Sequence, residues 1–368
     1  MLDVAIIGGG LSGLSLAARL REAGTHSVGV FEARSRLGGR ILSTPTAESD
    51  PDTRFDLGPT WVWPGDQPLL REFIRRYDLQ LFPQFQYGRA LFQSAVGQVP
   101  LRIPDPQAYS GAYRIRGGAQ RLIDVLAEQL SPEQVYLEHR LLQVRQQGEG
   151  VALSFEAPGN NVVQQARRVV LCLPPRLLQQ QVAFEPALDE RLQQMFAATP
   201  TWMAGHAKVI VEYERPFWRE QGLSGNGYGQ YPGAVLGEIF DACGVGNGTE
   251  PGRAALGGFF ALPAGVRAQH RARLEEAVIS QLQELYGPAA AEPVAIHVMD
   301  WFQEPATAVA ADADVPSEHP SYGHPWLRLD HWNETLWFGA SETDHRFGGY
   351  LEGALQAAAR VAADLTAS

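Results

Sequence analysis

The sequence of 368 residues is poor in cysteine, has no long apolar run and carries more acidic than basic side chains. The two cysteines, Cys172 and Cys243, exclude a disulfide-rich scaffold, and the apolar run around Cys172 favours a buried, inert thiol. No stretch of about eighteen apolar residues occurs, so we predict no membrane-spanning helix. The net charge of −11 argues against nucleic-acid binding and against a polybasic membrane anchor.

Length and composition indicate a globular protein with more than one core. A chain of 368 residues is too long to fold around one simple core, which predicts two domains. The first predicted strand begins at residue 2, which leaves no room for a cleavable signal peptide. Because cysteine is also scarce, we expect a cytoplasmic protein. The sequence predicts no metal site and does not indicate an oligomeric state.

Residues 4–40, VAIIGGGLSGLSLAARLREAGTHSVGVFEARSRLGGR, organise the rest of the chain. The apolar residues 4–7 predict a strand buried on both faces. Apolar side chains at helical intervals then predict a helix that ends near Gly24, and a second strand is predicted over residues 27–31. The turn between the first strand and the helix has the G-x-G-x-x-G spacing, with its glycines at Gly8, Gly10 and Gly13.

Each of these glycines has a mechanical reason in a nucleotide-binding turn. Gly8 permits the tight turn, Gly10 lets the backbone approach a diphosphate, and Gly13 lets the helix pack against the strand. Glu32 follows the second strand, where a carboxylate can accept both hydroxyls of an adenosine ribose and would repel the 2′-phosphate of NADP. The motif alone is weak evidence, but strand, helix, second strand and acid together favour dinucleotide binding over an ordinary βαβ unit.

A second glycine-rich stretch, residues 222–248, does not repeat this arrangement. No apolar strand precedes it and no helical pattern follows its glycines, so we predict one dinucleotide site. Flavin reductases that take electrons from NAD(P)H usually carry two complete fingerprints. We therefore do not expect a nicotinamide electron donor.

Arg34 and residues 37–40, LGGR, extend the fingerprint beyond what a plain NAD-binding fold needs. Two more glycines bring backbone to the ligand, and Arg40 supplies a guanidinium fork for a diphosphate. With this extension the chain resembles the FAD-containing amine oxidase family, that of the monoamine and polyamine oxidases. Residues 336–343, LWFGASET, and residues 348–355, GGYLEGAL, resemble the C-terminal signature of the same family, so the resemblance spans nearly the whole chain.

The resemblance implies how the cofactor is held. Glu342 would accept hydroxyl protons of the ribityl chain, and the helix that begins at Tyr350 would direct N–H groups at the flavin ring, where reduction places negative charge. Residues 55–61 would pass beside the ring, and the backbone near Leu141 would hold the adenine. The fingerprint and the resemblance together assign the following residues to the cofactor: Gly8, Gly10, Leu11, Ser12, Gly13, Glu32, Ala33, Arg34, Gly38, Gly39, Arg40, Gly58, Pro59, Thr60, Trp61, Leu141, Trp301, Ser341, Glu342, Tyr350 and Leu351.

Three residues are predicted to carry the chemistry, namely Lys208, Trp301 and Tyr350. In the family, the lysine that opens a strand before a Pro-Phe-Trp sequence holds a water against flavin N5, and Lys208 has that position. The alternative is a solvated lysine at a strand edge. Trp301 matches a tryptophan that packs near the ring, and the alternative there is an ordinary core tryptophan.

Tyr350 matches one tyrosine of the aromatic cage that orients an amine in monoamine oxidases. The covalent flavin link and the second cage tyrosine would fall at Ala310 and Ala311. No cysteine is available there, so the FAD is expected to be non-covalent. The cage is incomplete unless Trp61, Trp63 or another ring takes the second place.

The predicted fold is α/β, a two-domain FAD-binding fold of the Rossmann-like, glutathione-reductase type with a substrate domain of mixed sheet and helices. The FAD domain would comprise residues 1–62, 113–180 and 301–368, and the substrate domain residues 63–112 and 181–300. Within the FAD domain, a helix is predicted from residue 116 to residue 130, and a strand is predicted over residues 135–142.

The resemblance implies oxidation of a small-molecule amine. A hydride would pass to flavin N5, the imine would hydrolyse, and O2 would reoxidise the flavin with release of H2O2. One alternative is a related flavoenzyme that acts on a non-amine, such as a porphyrinogen or a carotenoid precursor. Another is a flavin-binding redox protein without turnover.

Overall fold

A computed structural model describes residues 1–25, 27–47, 53–245, 252–316 and 318–367. The strands, in chain order, are β1 Leu2–Ile7, β2 Val28–Phe31, β3 Ser43–Pro45, β4 Arg54–Asp56, β5 Leu81–Pro83, β6 Arg89–Gln93, β7 Leu101–Pro104, β8 Tyr113–Ile115, β9 Val135–Tyr136, β10 Arg140–Gln147, β11 Gly150–Glu156, β12 Val162–Leu171, β13 Ala183–Glu185, β14 Ala207–Tyr213, β15 Leu223–Gly229, β16 Leu236–Asp241, β17 Ala254–Phe260, β18 Ala295–Asp300 and β19 Leu336–Phe338. The α-helices are α1 Leu11–Glu22, α2 Pro68–Arg76, α3 Arg121–Ala127, α4 Pro175–Gln181, α5 Glu190–Ala198, α6 Phe217–Glu220, α7 Ala264–Gln269, α8 Leu274–Tyr286 and α9 Leu351–Ala367.

The first sheet has a parallel half whose strands all end at one edge. Its order is β13-β10-β11-β12-β1-β2-β9, and β19 pairs with the end of β12. The strands β9, β2, β1, β12 and β19 are parallel, whereas β11 is antiparallel to its neighbours. The loops that follow Ile7, Phe31, Leu171 and Phe338 therefore lie side by side, because these residues are register partners. This edge is where open α/β sheets bind ligands.

The first strand is buried on both faces, as its apolar sequence predicts. Val4 and Ile6 pack in one core with side chains of α1 and α9. Ala5 and Ile7 face the opposite side and pack in a second core with side chains of β10, β11 and β12. Chain segments from both ends of the sequence are thus fixed around β1.

The second sheet has the order β18-β14-β17-β16-β15-β6-β7. All seven residues of β14 are buried between β17 and β18. One face of this sheet packs on α8, and the other face packs through Ile210 and Phe240 on Phe55 and Leu57. Alternate residues of a strand share a face, so Lys208 lies on the same side as Ile210, toward the segment that follows β4.

Two predicted elements are shorter or more broken than the sequence suggested. The helix predicted over residues 116–130 forms only over Arg121–Ala127, because Gly117 and Gly118 adopt φ values of +78° and +80° that no right-handed helix contains. The strand pattern over residues 135–142 is interrupted between β9 and β10. Glu138 at the break has a φ of +58°, which turns the chain.

The two-domain fold is confirmed in outline, and the rejection of a second nucleotide loop is consistent with the structure. The described part of this glycine-rich stretch, residues 222–245, contains β15 and β16, two antiparallel strands of the second sheet, and residues 246–248 lie outside the described residues. The described strands of the first sheet fall in the predicted FAD segments, except that β13 lies just beyond residue 180. Among the residues described, no helix is long and apolar enough to cross a membrane. The same residues contain no cluster of three side chains suited to a metal.

Candidate functional site

A cavity runs from the carboxyl edge of the first sheet to the face of the second sheet that carries Lys208. It brings together residues from both ends and from the middle of the chain. The predicted site residues that line it are Gly8, Gly10, Leu11, Ser12, Glu32, Arg34, Gly38, Gly39, Arg40, Gly58, Pro59, Thr60, Trp61, Lys208, Trp301, Ser341, Tyr350 and Leu351.

The first glycine loop has the geometry that a phosphate-binding turn requires. Gly8 has a φ of +108°, which favours glycine. A Cβ atom on Gly13 would lie 2.0 Å from the carbonyl oxygen of Gly8, so α1 can approach β1 only because residue 13 lacks a side chain.

Gly10 differs, because the protein itself does not require a glycine there. Its φ is −80°, and a Cβ atom on it would meet no described protein atom closer than 3.9 Å. The segment that contains Gly38 and Gly39 is held next to this turn, since Gly38 donates to the carbonyl of Gly9 at 2.8 Å. The space immediately beside Gly10 at the start of α1 stays open to a ligand, which is what a diphosphate needs.

Glu32 lies buried at the end of β2 with its carboxylate held in place. The N–H groups of Gly9 and Arg34 donate to its two oxygens at 2.8 and 2.9 Å. The Arg34 guanidinium also donates to Oε1 at 3.3 Å. Of the roughly four lone-pair sites of a carboxylate, one therefore remains on Oε2 for a hydrogen bond from the cavity. The role of Glu32 toward a ribose stays a prediction.

Arg40 connects the N-terminal loop to the C-terminal signature. Its guanidinium donates to the hydroxyl of Ser341 at 3.0 Å and lies 2.8 Å from Oε1 of Glu342. Burial opposes the charge of Arg40, but the Glu342 carboxylate outweighs it and raises the pKa of Arg40. The guanidinium is thus a fixed positive charge on the cavity wall.

Glu342 does not line the cavity, in contrast to the side-chain position that the resemblance implied. Its side chain is fully buried behind Ser341 and Arg40. The ion pair with Arg40 and the hydrogen bond from the Ser341 hydroxyl at 2.9 Å hold it there. Its Oε1 atom is thereby paired with the Arg40 guanidinium, and the Glu342 side chain acts on the cavity through the position of Arg40.

Lys208 is buried, which excludes the alternative of a solvated lysine at a strand edge, while the role that the resemblance implies stays a prediction. Its Nζ donates to the carbonyl of Gly58 at 2.9 Å and contacts the hydroxyl of Thr60. Burial lowers the pKa of Lys208 to about 7, and Asp56 offsets only part of that effect. With two donors engaged, one position on Nζ remains for water or a ligand in the cavity.

The walls near Lys208 are aromatic. Nζ of Lys208 lies 5.5 Å from the ring centre of Phe259 and 5.9 Å from that of Trp61. Trp301 is 6% exposed, and its indole N–H donates to the carbonyl of Leu57 at 3.0 Å. That bond fixes the Trp301 ring beside the segment which carries Gly58 and Thr60.

Tyr350 lines the cavity, but the ring nearest to it there is a tryptophan. Trp202 also lines the cavity, with its ring centre 6.3 Å from that of Tyr350. His319 stacks on Tyr350 at 4.7 Å with an angle of 8° between the planes. Ala310 and Ala311 are not among the described lining residues.

Three other predicted residues lie off the cavity wall. Gly13 acts through packing, as its position predicts. The side chain of Leu141 is 4% exposed and packs in the core of the first sheet, so only its backbone is available to an adenine. Ala33 lines a neighbouring open cavity with Arg36 and Arg140.

Sequence reasoning missed several lining residues. Trp202, His206 and Phe259 line the cavity without belonging to any of the motifs used above. Cys172 also lines it and is partly exposed, not fully buried as predicted. Burial raises the pKa of the Cys172 thiol to about 12, which disfavours the reactive thiolate, and the inertness of this thiol stays a prediction. Strand alternation places His206 on the same face as Lys208, so the sequence could have predicted that His206 lines the cavity.

These residues fit a flavin dinucleotide. The open space beside Gly10 and the buried carboxylate of Glu32 match a diphosphate and a ribose in turn. Arg40 supplies the countercharge for the diphosphate.

Two family models match the chain. Residues 85–366 match the model described as flavin containing amine oxidoreductase, and residues 6–77 match an NAD(P)-binding Rossmann-like domain. Putrescine oxidase of Kocuria rosea is 30% identical over 229 residues, which is 57% of this chain and 45% of that protein. Human amine oxidase [flavin-containing] B is 23% identical over 99% of this chain and 86% of its own length.

Solved structures give the same fold. A putrescine oxidase bound to putrescine superposes with a TM-score of 0.77 at 22% identity, covering 100% of this chain and 99% of that chain. The cyclohexylamine oxidase of Brevibacterium oxydans superposes with a TM-score of 0.77 at 21% identity and the same coverage. At such identities the likeness supports the fold alone.

Proposed function

Because this chain belongs to the family of flavin-containing amine oxidoreductases, we propose that it is an FAD-dependent oxidase of small-molecule amines. The observation that carries the proposal is the continuous cavity that joins the dinucleotide loop at Gly10 to the aromatic wall beside Lys208. FAD, when bound, supplies the two-electron acceptor and the route for those electrons to O2. The FAD is held non-covalently, since alanine stands at position 310, where the resemblance places the covalent link.

The protein's part at one end of the cavity is to bind the cofactor. The backbone at Gly10 and the start of α1 would take the diphosphate, with Arg40 as countercharge. Glu32 would accept the ribose hydroxyls, and the start of α9 beside Tyr350 would place N–H groups near the ring. These assignments are proposals supported by the geometry above.

At the other end, the protein's part is to orient a neutral amine and exclude water. Trp61, Trp202 and Phe259 give the wall an apolar, aromatic character, which disfavours an ammonium ion and favours a substrate with an apolar body. Trp301 and Lys208 would stand beside the reacting carbon. Catalysis then comes mainly from placement of the C–H bond and from exclusion of water.

Lys208 is proposed to hold a water or to assist O2 chemistry through the remaining position on its Nζ, which is an N–H in the ammonium form and a lone pair in the amine form. Burial brings its pKa to about 7, so Lys208 can also exchange a proton near neutral pH. Lys208→Met should slow reoxidation of the reduced protein by O2. Unchanged rates of both reduction and reoxidation, measured by stopped-flow absorbance, would show that this role is wrong.

The substrate is tested by anaerobic mixing of the purified holoenzyme with separate amines. 2-Phenylethylamine, cyclohexylamine and butane-1,4-diamine sample an aromatic, an alicyclic and a diamine substrate. The expected result is loss of oxidised-flavin absorbance with at least one amine, followed by release of H2O2 after O2 is admitted. Bound flavin that no amine bleaches would refute the proposal and favour a redox protein without turnover or an enzyme for a non-amine.

We further propose the domain division given by the sequence, with an FAD domain of residues 1–62, 113–180 and 301–368. The membership of described strands in the two sheets supports it. A cytoplasmic location is also proposed, supported by the two free cysteines.

A further inference from the structure

His206 lies on the cavity wall between the two residues expected to stand beside the reacting carbon. It precedes β14 by one residue and Lys208 by two, so the two side chains share a face, and both line the cavity. The carbonyl of His206 accepts the backbone N–H of Trp301 at 3.0 Å. His206 is therefore fixed by its backbone to both Lys208 and Trp301.

The imidazole of His206 has an unused hydrogen-bonding atom. Its Nδ1 is buried and has no partner among the residues that the structure describes. Buried polar atoms are nearly always paired, so an unpaired one calls for a specific explanation. Because His206 itself lines the cavity, a ligand bound there is the candidate partner for this imidazole.

The surroundings keep this imidazole neutral. Burial lowers the pKa of His206, and the positive charge of Arg267 lowers it further. Arg267 is itself fully engaged, since it donates to both carboxylate oxygens of Asp300 at 2.7 and 2.8 Å and to the carbonyl of Gly205 at 2.9 Å. Lys208, on the same face, carries no negative charge that could raise the pKa of His206. A neutral imidazole has one nitrogen that can accept an N–H hydrogen bond.

We propose that His206 contacts the substrate and accepts a hydrogen bond from an N–H of its amino group, which makes the enzyme select primary and secondary amines over tertiary amines. The inference rests on the proposed amine oxidation. An acceptor at this position orients the amine while leaving the nitrogen lone pair free. A neutral tertiary amine has no N–H and gains nothing from His206.

Two probes that differ only in their N–H groups test the inference, namely 2-phenylethylamine and N,N-dimethyl-2-phenylethylamine. The ratio of their kcat/KM values is measured for the wild type, His206→Leu and His206→Gln, with flavin content checked for each protein. We expect the wild type to prefer the primary amine, and His206→Leu to reduce that preference about tenfold, the equivalent of one hydrogen bond. His206→Gln, which keeps a neutral acceptor, should retain most of it.

The control variant is His270→Leu, which removes an exposed histidine at the end of α7 and should behave as the wild type. An unchanged ratio of kcat/KM values in His206→Leu would overturn the inference, even if both values fall, because a purely structural role affects both probes alike. If the wild type oxidises neither probe, the proposed function has failed for this substrate class. Calorimetric binding of both amines to the chemically reduced holoenzyme then gives the same comparison of His206 variants without turnover.

Discussion

Lys208 shows how a single buried charge links the site to the stability of the fold. Its pKa is lowered from the ordinary value of 10.5 to about 7 by burial. Between these two values the unfolded chain binds more protons than the folded chain. The contribution of Lys208 to the free energy of unfolding therefore rises with pH between about 7 and 10.5.

The first prediction concerns this window. The stability of the wild type relative to Lys208→Met should increase as the pH is raised from 7 to 10.5, because folding removes the proton from Lys208 and this removal costs less as the pH approaches the pKa of the unfolded chain. Urea unfolding of both proteins at several pH values measures the difference. A difference that stays constant with pH would contradict the lowered pKa.

Glu32 has a predicted role toward the cofactor that a substitution of nearly the same size can test. Glu32→Gln keeps the size of the side chain but exchanges a charged acceptor for an amide. We expect FAD affinity to fall by about tenfold or more, since hydrogen bonds to a charged group contribute about 1.5–3 kcal/mol. Equilibrium titration of the apoprotein with FAD, followed by fluorescence, measures it. Unchanged affinity would remove Glu32 from the ribose site.

At the scale of elements, the β1–α1 turn separates a glycine needed by the fold from one needed by the ligand. In Gly13→Ala the new Cβ would lie 2.0 Å from the Gly8 carbonyl oxygen, so the helix must move. In Gly10→Ala the nearest described atoms are 3.9 Å away. The two substitutions are chemically identical and lie three positions apart in the sequence. They differ only in the atoms that surround the new methyl group.

We therefore predict opposite phenotypes for this pair. The Gly10→Ala apoprotein should unfold within about 0.5 kcal/mol of the wild type but bind FAD weakly. Gly13→Ala should lower the stability of the apoprotein itself. Denaturant unfolding without FAD and FAD titration distinguish the two, and an unstable Gly10→Ala apoprotein would contradict the assignment.

The elements around this turn were predictable because their signals are local. The apolar run of β1, the helical spacing of α1 and the acid after β2 lie within about thirty residues of one another in the sequence. The start of α3 was not predictable from periodicity, since Gly117 and Gly118 take left-handed conformations within an otherwise helical pattern. Glycine there serves a turn, and the apolar spacing that follows does not reveal where that turn ends.

At the scale of the whole molecule, the cavity depends on residues that are distant in sequence. Arg40 and Ser341 form a hydrogen bond across 301 positions, and Ser12 donates to the carbonyl of Gly339 across 327. A ligand that spans this cavity contacts the loops after β1, β2 and β19 together. Its binding is thereby coupled to the folding of both chain ends.

This coupling predicts stabilisation by the cofactor. Saturating FAD should raise the Tm of the apoprotein, and the increase should grow with FAD concentration, because a ligand bound only by the folded state stabilises it by mass action. Arg40→Ala should lose most of the increase. Thermal unfolding followed by circular dichroism measures both, and a Tm independent of FAD would contradict a cofactor site between the chain ends.

Long-range placement also explains what the sequence could not predict. Trp202 approaches Tyr350 from 148 positions away, and no pattern along the chain connects them. Glu342 was placed near the cofactor by its motif, but its side chain turns toward Arg40, whose charge is 302 positions away. Sequence motifs locate the backbone at the site, whereas the orientation of each side chain depends on partners that only the fold brings near.

The most direct test of the central claim, that bound FAD oxidises an amine in this cavity, is an anaerobic titration of the purified yellow protein with its best amine. The account predicts that one equivalent of amine bleaches one equivalent of flavin, and that Gly10→Ala protein, depleted of FAD, consumes none. A protein with full flavin content whose absorbance no primary, secondary or diamine substrate reduces would contradict it.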